Sequence, residues 1–470
     1  MIKQIDVVGW FPIAIGNSPS SSCEYLGNRP TELRHPSSKF VVSKSGAGVL
    51  IALSVLKQAT KRRVGVGQLS LVEHSLCPLA TSSTENLVHA VEYHYSNAKR
   101  QRKTAKVRVF APLGLSAVDE LYLWGLLNLT LSQPTIDGTL TATPHWCLRQ
   151  MGIIDCGSRR GGRQYQEFAQ ALERLSVVNY LSDACYDANR GECRKVSFGF
   201  LSYSLPVDPQ SSRSWTINWD ATFFDLVNVQ GGGMRFDLAL YRSLDAASRR
   251  LFLFVLKVGY RKGRLPVLDL RHLAVDLLGL SETLATRDMK VKVTRTLKRL
   301  EDAEVISSPA IKRTKPGHFS VAFERGEYLN RLPEQMNRIS VEDSPLLEGL
   351  LAVGFENPAA VRLIQRYPSA LVAQWTDITQ AAIEQFGKQH FRVSPMAFLT
   401  DSLKKASKGM RTPPDWWQDA KRKEQRTQQP TEAGKLVLSK LMDEVFGSTR
   451  SASTSSGKPE PVADLLKRIR

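Results

Sequence analysis

The chain has 470 residues, 42% of them hydrophobic and 23% charged, which excludes a wholly disordered polymer and suits about two or three domains of roughly 100–200 residues each. Lys and Arg number 64 against 45 Asp and Glu, a formal charge of +19 that points to a polyanionic partner, because clustered cations gain free energy by displacing counterions from phosphates. No apolar run reaches the roughly 18–20 residues that span a bilayer, so no membrane association is expected. The six cysteines form no Cys-x-x-Cys pair and read as scattered thiols of a reducing cytoplasm.

Residues 1–66 read as a poorly ordered extension, since 17–44 is rich in Ser, Pro, Gly and Asn and lacks periodicity. From Gln68 onward the apolar pattern becomes regular. The run Gln68–Val72 resembles the short motif that binds the bacterial sliding clamp, but it ends in Val where a large residue is usual, so a plain structural strand is preferred. The stretch 96–118 carries six Lys and Arg and no acid, and reads equally as a solvated basic loop or as a strand and loop whose Arg100, Arg102 and Lys103 track phosphates.

Three helices follow. Ser116 is expected to cap the first, which buries Val118, Leu121, Tyr122 and Leu126. After a short apolar link at 139–141, Thr143-Pro144 opens the second helix, which stops at Gly152. The third runs over 163–175, with Tyr165, Phe168, Leu172 and Leu175 on one side and Arg163, Gln166, Gln170 and Arg174 on the other. Arg159 and Arg160 precede it in a glycine-rich loop. Arg and Gln make bidentate contacts to base edges, and an ordinary solvated face fits this helix equally well. Strand-like runs at 177–185, 194–203 and 214–219 complete a helix, helix, recognition-like helix, hairpin order: that of a winged helix.

The same order recurs. Asp245 caps a helix to about Tyr260, 265–268 is a short strand, Asp269 caps a helix ending at Gly279, and Ser281 or Thr286 opens a third that reaches Asp302. Strands at 305–307, 311–313 and 318–323 surround a Lys315-Pro316-Gly317 turn. Residues 245–325 hold 17 Lys and Arg against 9 Asp and Glu. Met289, Val293, Leu297 and Leu300 form the apolar stripe of the third helix; Lys292, Arg295 and Arg299 share a neighbouring face, with Arg287, Lys290 and Lys298 further round. DNA contact is preferred here over a solvated face, because the helix stands third in a repeated frame with Lys312, Arg313 and Lys315 on the wing behind it.

The architecture expected is therefore α+β and helix-rich: a first winged helix over 67–220, a second over 221–330, a helical region over 331–430 and a flexible tail with a short terminal helix over 431–470. Candidate helices of the third part are 345–353, 358–366, 369–386 and 394–407. Trp375 is expected to fill a local core, and Trp416 and Trp417, after Pro413-Pro414, to be more exposed and to recruit partners. A chain ending near Asn330 would then keep DNA binding and lose recruitment.

No phosphate-cradling Gly-x-x-x-x-Gly-Lys-Ser/Thr, no zinc spacing and no nucleophile–base–acid pattern occurs, so no enzyme activity, cofactor or metal is expected. Tyr93-His94-Tyr95 suggests a DNA nickase at first sight, but that chemistry needs a metal held by paired histidines, and His89 and His94 are not spaced for it.

The segments GLSAVDELYLWGLL at 114–127, VSFGFL at 196–201 and FDLALYRSLD at 236–245 resemble bacterial plasmid replication initiators of the replication initiator protein A group. The resemblance covers about 68–330 well and 331–430 loosely. It implies a non-enzymatic, cytoplasmic, plasmid-associated protein with tandem winged helices. Such a protein binds direct repeats in origin DNA, helps open the duplex, recruits the host replicative helicase and initiation proteins, and often represses its own gene as a homodimer. The alternative is a winged-helix transcriptional regulator that initiates nothing.

Overall fold

A computed structural model describes residues 63–79, 85–96, 101–154, 162–206, 208, 211–260, 265–331 and 339–428, a mixed α+β structure. Residues 1–62 of the expected extension, Arg100, Arg159, Arg160 and the tail beyond 428 lie outside the described residues, as does the side chain of Arg102, whereas Val64–Val66, expected in that extension, belong to a buried strand.

The described chain opens with β1 (Val64–Gln68). The Gln68 side-chain oxygen accepts from the Ser70 and Leu71 amides at 2.7 and 3.0 Å and turns the chain into a 3₁₀ turn at Leu71–Glu73. The clamp-like run is structural, but only Gln68 belongs to a strand; Leu69, Leu71 and Val72 are buried. Strands β2 (Leu87–Ser96) and β3 (Arg102–Ala111) form an antiparallel hairpin. The basic stretch is thus largely strand, and Lys106 and Arg108 face Glu92 and Asp183.

Helix α1 (Asp119–Leu131) is buried almost all round, as an apolar helix must be. Ser116 does not cap it. Its amide and hydroxyl instead donate to Asp119, whose carboxylate is sequestered in the fold. β4 (Thr139–Ala142) and α2 (Pro144–Gln150) follow, and Thr143 accepts from the Trp146 amide at 3.1 Å with proline in the first turn. Helix α3 (Gly162–Ser176) buries Phe168, Ala171, Leu172 and Leu175.

The hairpin after α3 is not the partner of β4. β5 (Asn179–Asp187) and β6 (Glu192–Gly199) extend the earlier hairpin into a four-stranded sheet ordered β2-β3-β5-β6. At buried Phe200 the chain changes sheet: β7 (Leu201–Ser204) and β8 (Trp215–Trp219) join β4 in the order β4-β8-β7. One expected strand, 194–203, thus feeds two sheets.

A connector absent from the sequence reading follows: α4 (Ala221–Asn228), β9 (Gly233–Asp237) and α5 (Leu238–Ser243). β9 pairs antiparallel with β1. Asp245 caps α6 (Ala246–Gly259) through the Ser248 amide. β10 (Leu268–Asp269) leads into α7 (Leu270–His272), continued by a π-helical turn at Leu273–Leu277. Helix α8 (Thr286–Asp302) starts at the later of the two expected positions. β11 (Ile306–Lys315) merges two expected strands through an irregularity at Ser308, and β12 (His318–Arg325) returns after Gly317, whose φ of +80° suits the turn. The sheet order β10-β12-β11 repeats β4-β8-β7: first, third, second in chain order.

The two three-helix frames share one core that runs from Val66 to Leu329, so the boundary at 220 divides the sequence but not the packing. Arg250 of α6 donates to Glu120 of α1 at 2.7 Å, with both side chains at most 5% exposed, and also to the Leu278 carbonyl. Lys257 of α6 reaches Glu73 and the Leu69 carbonyl at 2.6 Å each. Such buried ions persist only because each is paired and hydrogen-bonded.

Four helices follow: α9 (Pro345–Val353), α10 (Asn357–Arg366), α11 (Ser369–Phe386) and α12 (Pro395–Ala406). Their bounds match the sequence reading closely, because Ser344 and Ser394 with Pro345 and Pro395 mark two of the starts. Trp375 is fully buried in α11. These helices are tied to the first frame: Arg213, in the β7–β8 loop, makes a two-pronged pair with Asp377 at 2.8 and 3.2 Å, and the Trp146 indole donates to the Asp343 carbonyl at 2.7 Å. Helix α13 (Asp415–Gln428) belongs to a second compact unit that begins at Pro413; Trp416 and Trp417 in it are half-buried.

Candidate nucleic-acid interface

Helix α8 presents its cations outward for a geometric reason. At 3.6 residues per turn, Met289, Val293, Thr296, Leu297 and Leu300 point to one side and are buried. The side chains of Arg287, Lys292, Arg295, Lys298 and Arg299 are left exposed. Among the described residues no carboxylate pairs with Arg287, Lys292, Arg295 or Lys298. Arg299 differs, because it forms an ion pair with Asp245, the cap of α6. Lys290 is half-buried, and its ammonium sits 3.3 Å from the centre of the Phe319 ring on β12, so it fastens the β11–β12 hairpin to the helix through a cation–π contact. Lys312, Arg313 and Lys315 are exposed along β11 up to the Gly317 turn, with no carboxylate partner among the described residues.

The resulting surface is a helix face with four unpaired cations beside a hairpin with three. Like charges held this close repel one another, and the repulsion is relieved by a polyanion. Arginine adds a planar fork of donors that matches phosphate oxygens or a guanine edge.

Helix α3 presents a different face. Gln166 and Gln170 are exposed, and Arg163 is exposed but bonded to Glu167 one turn away at 2.7 Å. Arg174 is turned away from solvent: its guanidinium makes two bonds to Asp119, at 2.9 and 2.7 Å. It ties α3 to α1 and does not stand with Arg163, Gln166 and Gln170. The α3 face is thus amide-rich, with little net charge, whereas α8 is strongly cationic.

Two further outward positions of α8 were not among the residues expected from the sequence. Val291 is 53% exposed and Thr294 is exposed, both on the side opposite the buried stripe. The signal was available, since a helical wheel centred on Met289, Val293, Leu297 and Leu300 places Val291 almost diametrically across.

The histidines and tyrosines of the β2 region lie elsewhere. His89 and His94, five apart on one strand, sit on opposite faces of the sheet. The Tyr93 hydroxyl is buried and donates to the Ala184 carbonyl. His74 is buried; its Nδ1 donates to the Ser75 carbonyl and its Nε2 accepts from the Tyr180 hydroxyl at 2.9 Å. Burial pushes the His74 pKa down to about 4, and burial does the same to His89, also to about 4. Among the described residues no three His, Cys, Asp or Glu side chains lie close enough to hold a metal ion, and no helix is long and apolar enough to cross a membrane.

No family model and no curated protein matches the chain. Among solved structures, the chain is similar to the crystal structure of domains 2 and 3 of RctB, a selenomethionine derivative, at a TM-score of 0.36 and 12% identity, over 53% of this chain and 94% of that one.

Proposed function

We propose that the protein is a sequence-specific, double-stranded-DNA-binding replication initiator without enzymatic activity. In this reading each three-helix frame with its three-stranded sheet is a winged helix. Helices α3 and α8 enter successive major grooves, and Lys312, Arg313 and Lys315 of the second wing grip phosphates. The observation that carries the reading is the set of unpaired cations on the outward face of α8 beside an equally basic hairpin. A protein gains nothing in stability from such a cluster, and a phosphate backbone neutralises it.

Initiation, rather than repression alone, is supported by the resemblance of 114–127, 196–201 and 236–245 to plasmid initiators, and by the helices after Asn330, which a minimal repressor does not need. Origin repeats, the host helicase, initiation proteins and a homodimeric repressing form are the partners this reading implies.

The test has two parts. Selection from a pool of randomised duplexes should enrich one sequence. That sequence should recur as direct repeats beside an AT-rich stretch next to the coding region, and a plasmid carrying those repeats should be maintained when the protein is supplied in trans. Enrichment of a lone palindrome without plasmid maintenance would favour the transcriptional regulator. No enrichment at all would overturn DNA recognition.

A further inference from the structure

Val291 occupies the most solvent-directed line of α8, with its side chain 53% exposed. Arg287 and Arg295 lie one turn before and after it, and Thr294 and Lys298 continue the same line. Valine is a poor choice there on stability grounds. A β-branched residue loses rotamer freedom in a helix, and an exposed one recovers little by burial. Lysine, glutamate or alanine would serve a merely solvated position better. Val291 lies in the second turn of α8; the first turn carries one acid, Asp288, and the last carries two, Glu301 and Asp302. The N-terminal half is therefore the part of the helix suited to enter a groove lined by phosphates, and in helix-turn-helix relatives that half touches base edges. In the major groove the one apolar feature on any base edge is the 5-methyl group of thymine.

The geometry points to Val291 as a specificity-determining residue that packs its methyl groups against a thymine 5-methyl group, flanked by Arg287 and Arg295 on neighbouring base pairs or phosphates. This inference rests on the DNA-binding reading of α8 and adds a base identity to it. The recognised sequence then contains a thymine at which the methyl group itself, and not hydrogen bonding, is read.

The test uses the full-length protein and the duplex it enriches from a randomised pool. Each thymine of that duplex is replaced in turn by deoxyuridine, which removes the methyl and leaves every hydrogen-bonding group in place. Wild-type protein should bind about four-fold more weakly at one such position, the ~0.8 kcal/mol of a single buried methyl(ene) at 1.4 kcal/mol per factor of ten. The Val291→Ala protein, which keeps the helix and removes both methyls, should bind the thymine and deoxyuridine duplexes alike at that position. It should still respond as wild type to deoxyuridine elsewhere. Val291→Thr, which retains one methyl, should fall between. If wild type and Val291→Ala respond identically to deoxyuridine at every position, the thymine contact is wrong while DNA recognition stands. If no duplex is enriched, the DNA-binding reading falls and takes this inference with it.

Discussion

Arg295 stands on the outward side of α8 with no carboxylate partner among the described residues. Its replacement by alanine leaves the fold alone and removes a forked donor. Specific binding is expected to weaken by about 1–3 kcal/mol if it reads a base. Band-shift titrations with enriched and random duplexes separate the cases: loss on the enriched duplex alone means base reading, equal loss on both means a phosphate contact, and no loss on either refutes involvement. His74 bears on stability. It stays neutral in the fold down to about pH 4, whereas in the unfolded chain it takes up a proton near pH 6.5. Its neutral burial therefore leaves stability intact above pH 6.5 and lowers it as pH falls from 6.5 to 4, by about 3 kcal/mol in all. His89, depressed to the same value, adds a similar loss over the same range, so denaturant unfolding at stepped pH should show the slope of both, and His74→Gln should remove about half of it; an unchanged slope in the variant would assign the effect to other groups. The outward face of α8 was readable from periodicity alone, since it needs only the spacing of Met289, Val293, Leu297 and Leu300. Arg174 was not, because on a wheel it belongs to the polar side of α3. The Asp119 carboxylate that claims it is 55 residues away, and no local pattern announces such a partner.

At the scale of elements, capping signals served well and strand pairing did not. Thr143-Pro144, Asp245 and Ser344-Pro345 mark helix starts because the side-chain oxygen and the missing proline amide act within one turn. Strand partners are chosen by distant residues, so nothing within 177–203 says that β5 and β6 will extend β3 while β4 waits for β8. The helices α9–α12 give the most consequential surprise. Expected as a separate recruiting region, they supply Asp377 to Arg213, and the turn just before α9 supplies the Asp343 carbonyl to Trp146 of the first frame. Removing one member of a buried ion pair strands the other, so Asp377→Ala is expected to destabilise the protein by about 3–5 kcal/mol in chemical denaturation. A loss below 1 kcal/mol would mean that Arg213 finds water or another partner. By the same logic, a chain ending near Asn330 should melt at lower temperature and bind the enriched duplex less tightly than the full chain. Undiminished stability and affinity would restore the view of α9–α12 as a purely recruiting module.

For the whole molecule, charge and rigidity make separate demands. If seven unpaired cations of α8 and its wing engage phosphates, affinity should fall with a log–log salt slope of about 0.9 per contact, steep enough to lose orders of magnitude between roughly 50 and 200 mM. A flat response would leave the +19 charge without a role in binding. Rigidity comes from the shared core and the Glu120–Arg250 pair, which hold the two frames as one body. If α3 and α8 read DNA together as proposed, inserting about half a helical turn, ~5 bp, between the two halves of the enriched site should abolish two-sided binding, because one of the two helices would face the wrong side of the duplex. Tolerance of the insertion would show that the frames swing independently. The pairing of β1 with β9 has a further consequence, for synthesis. The strands are separated by about 165 residues, so during translation β1 leaves the ribosome and waits for its partner. At 5–20 residues per second the wait is roughly ten to thirty seconds. Throughout it Val64, Val66 and the unpaired edge beside them are open to chaperones, proteases and other nascent chains. Nascent chains arrested before residue 233 should be cleaved by added protease near β1, and chains arrested well after residue 329, with the core complete, should resist. That interval would make protein yield depend on chaperone supply.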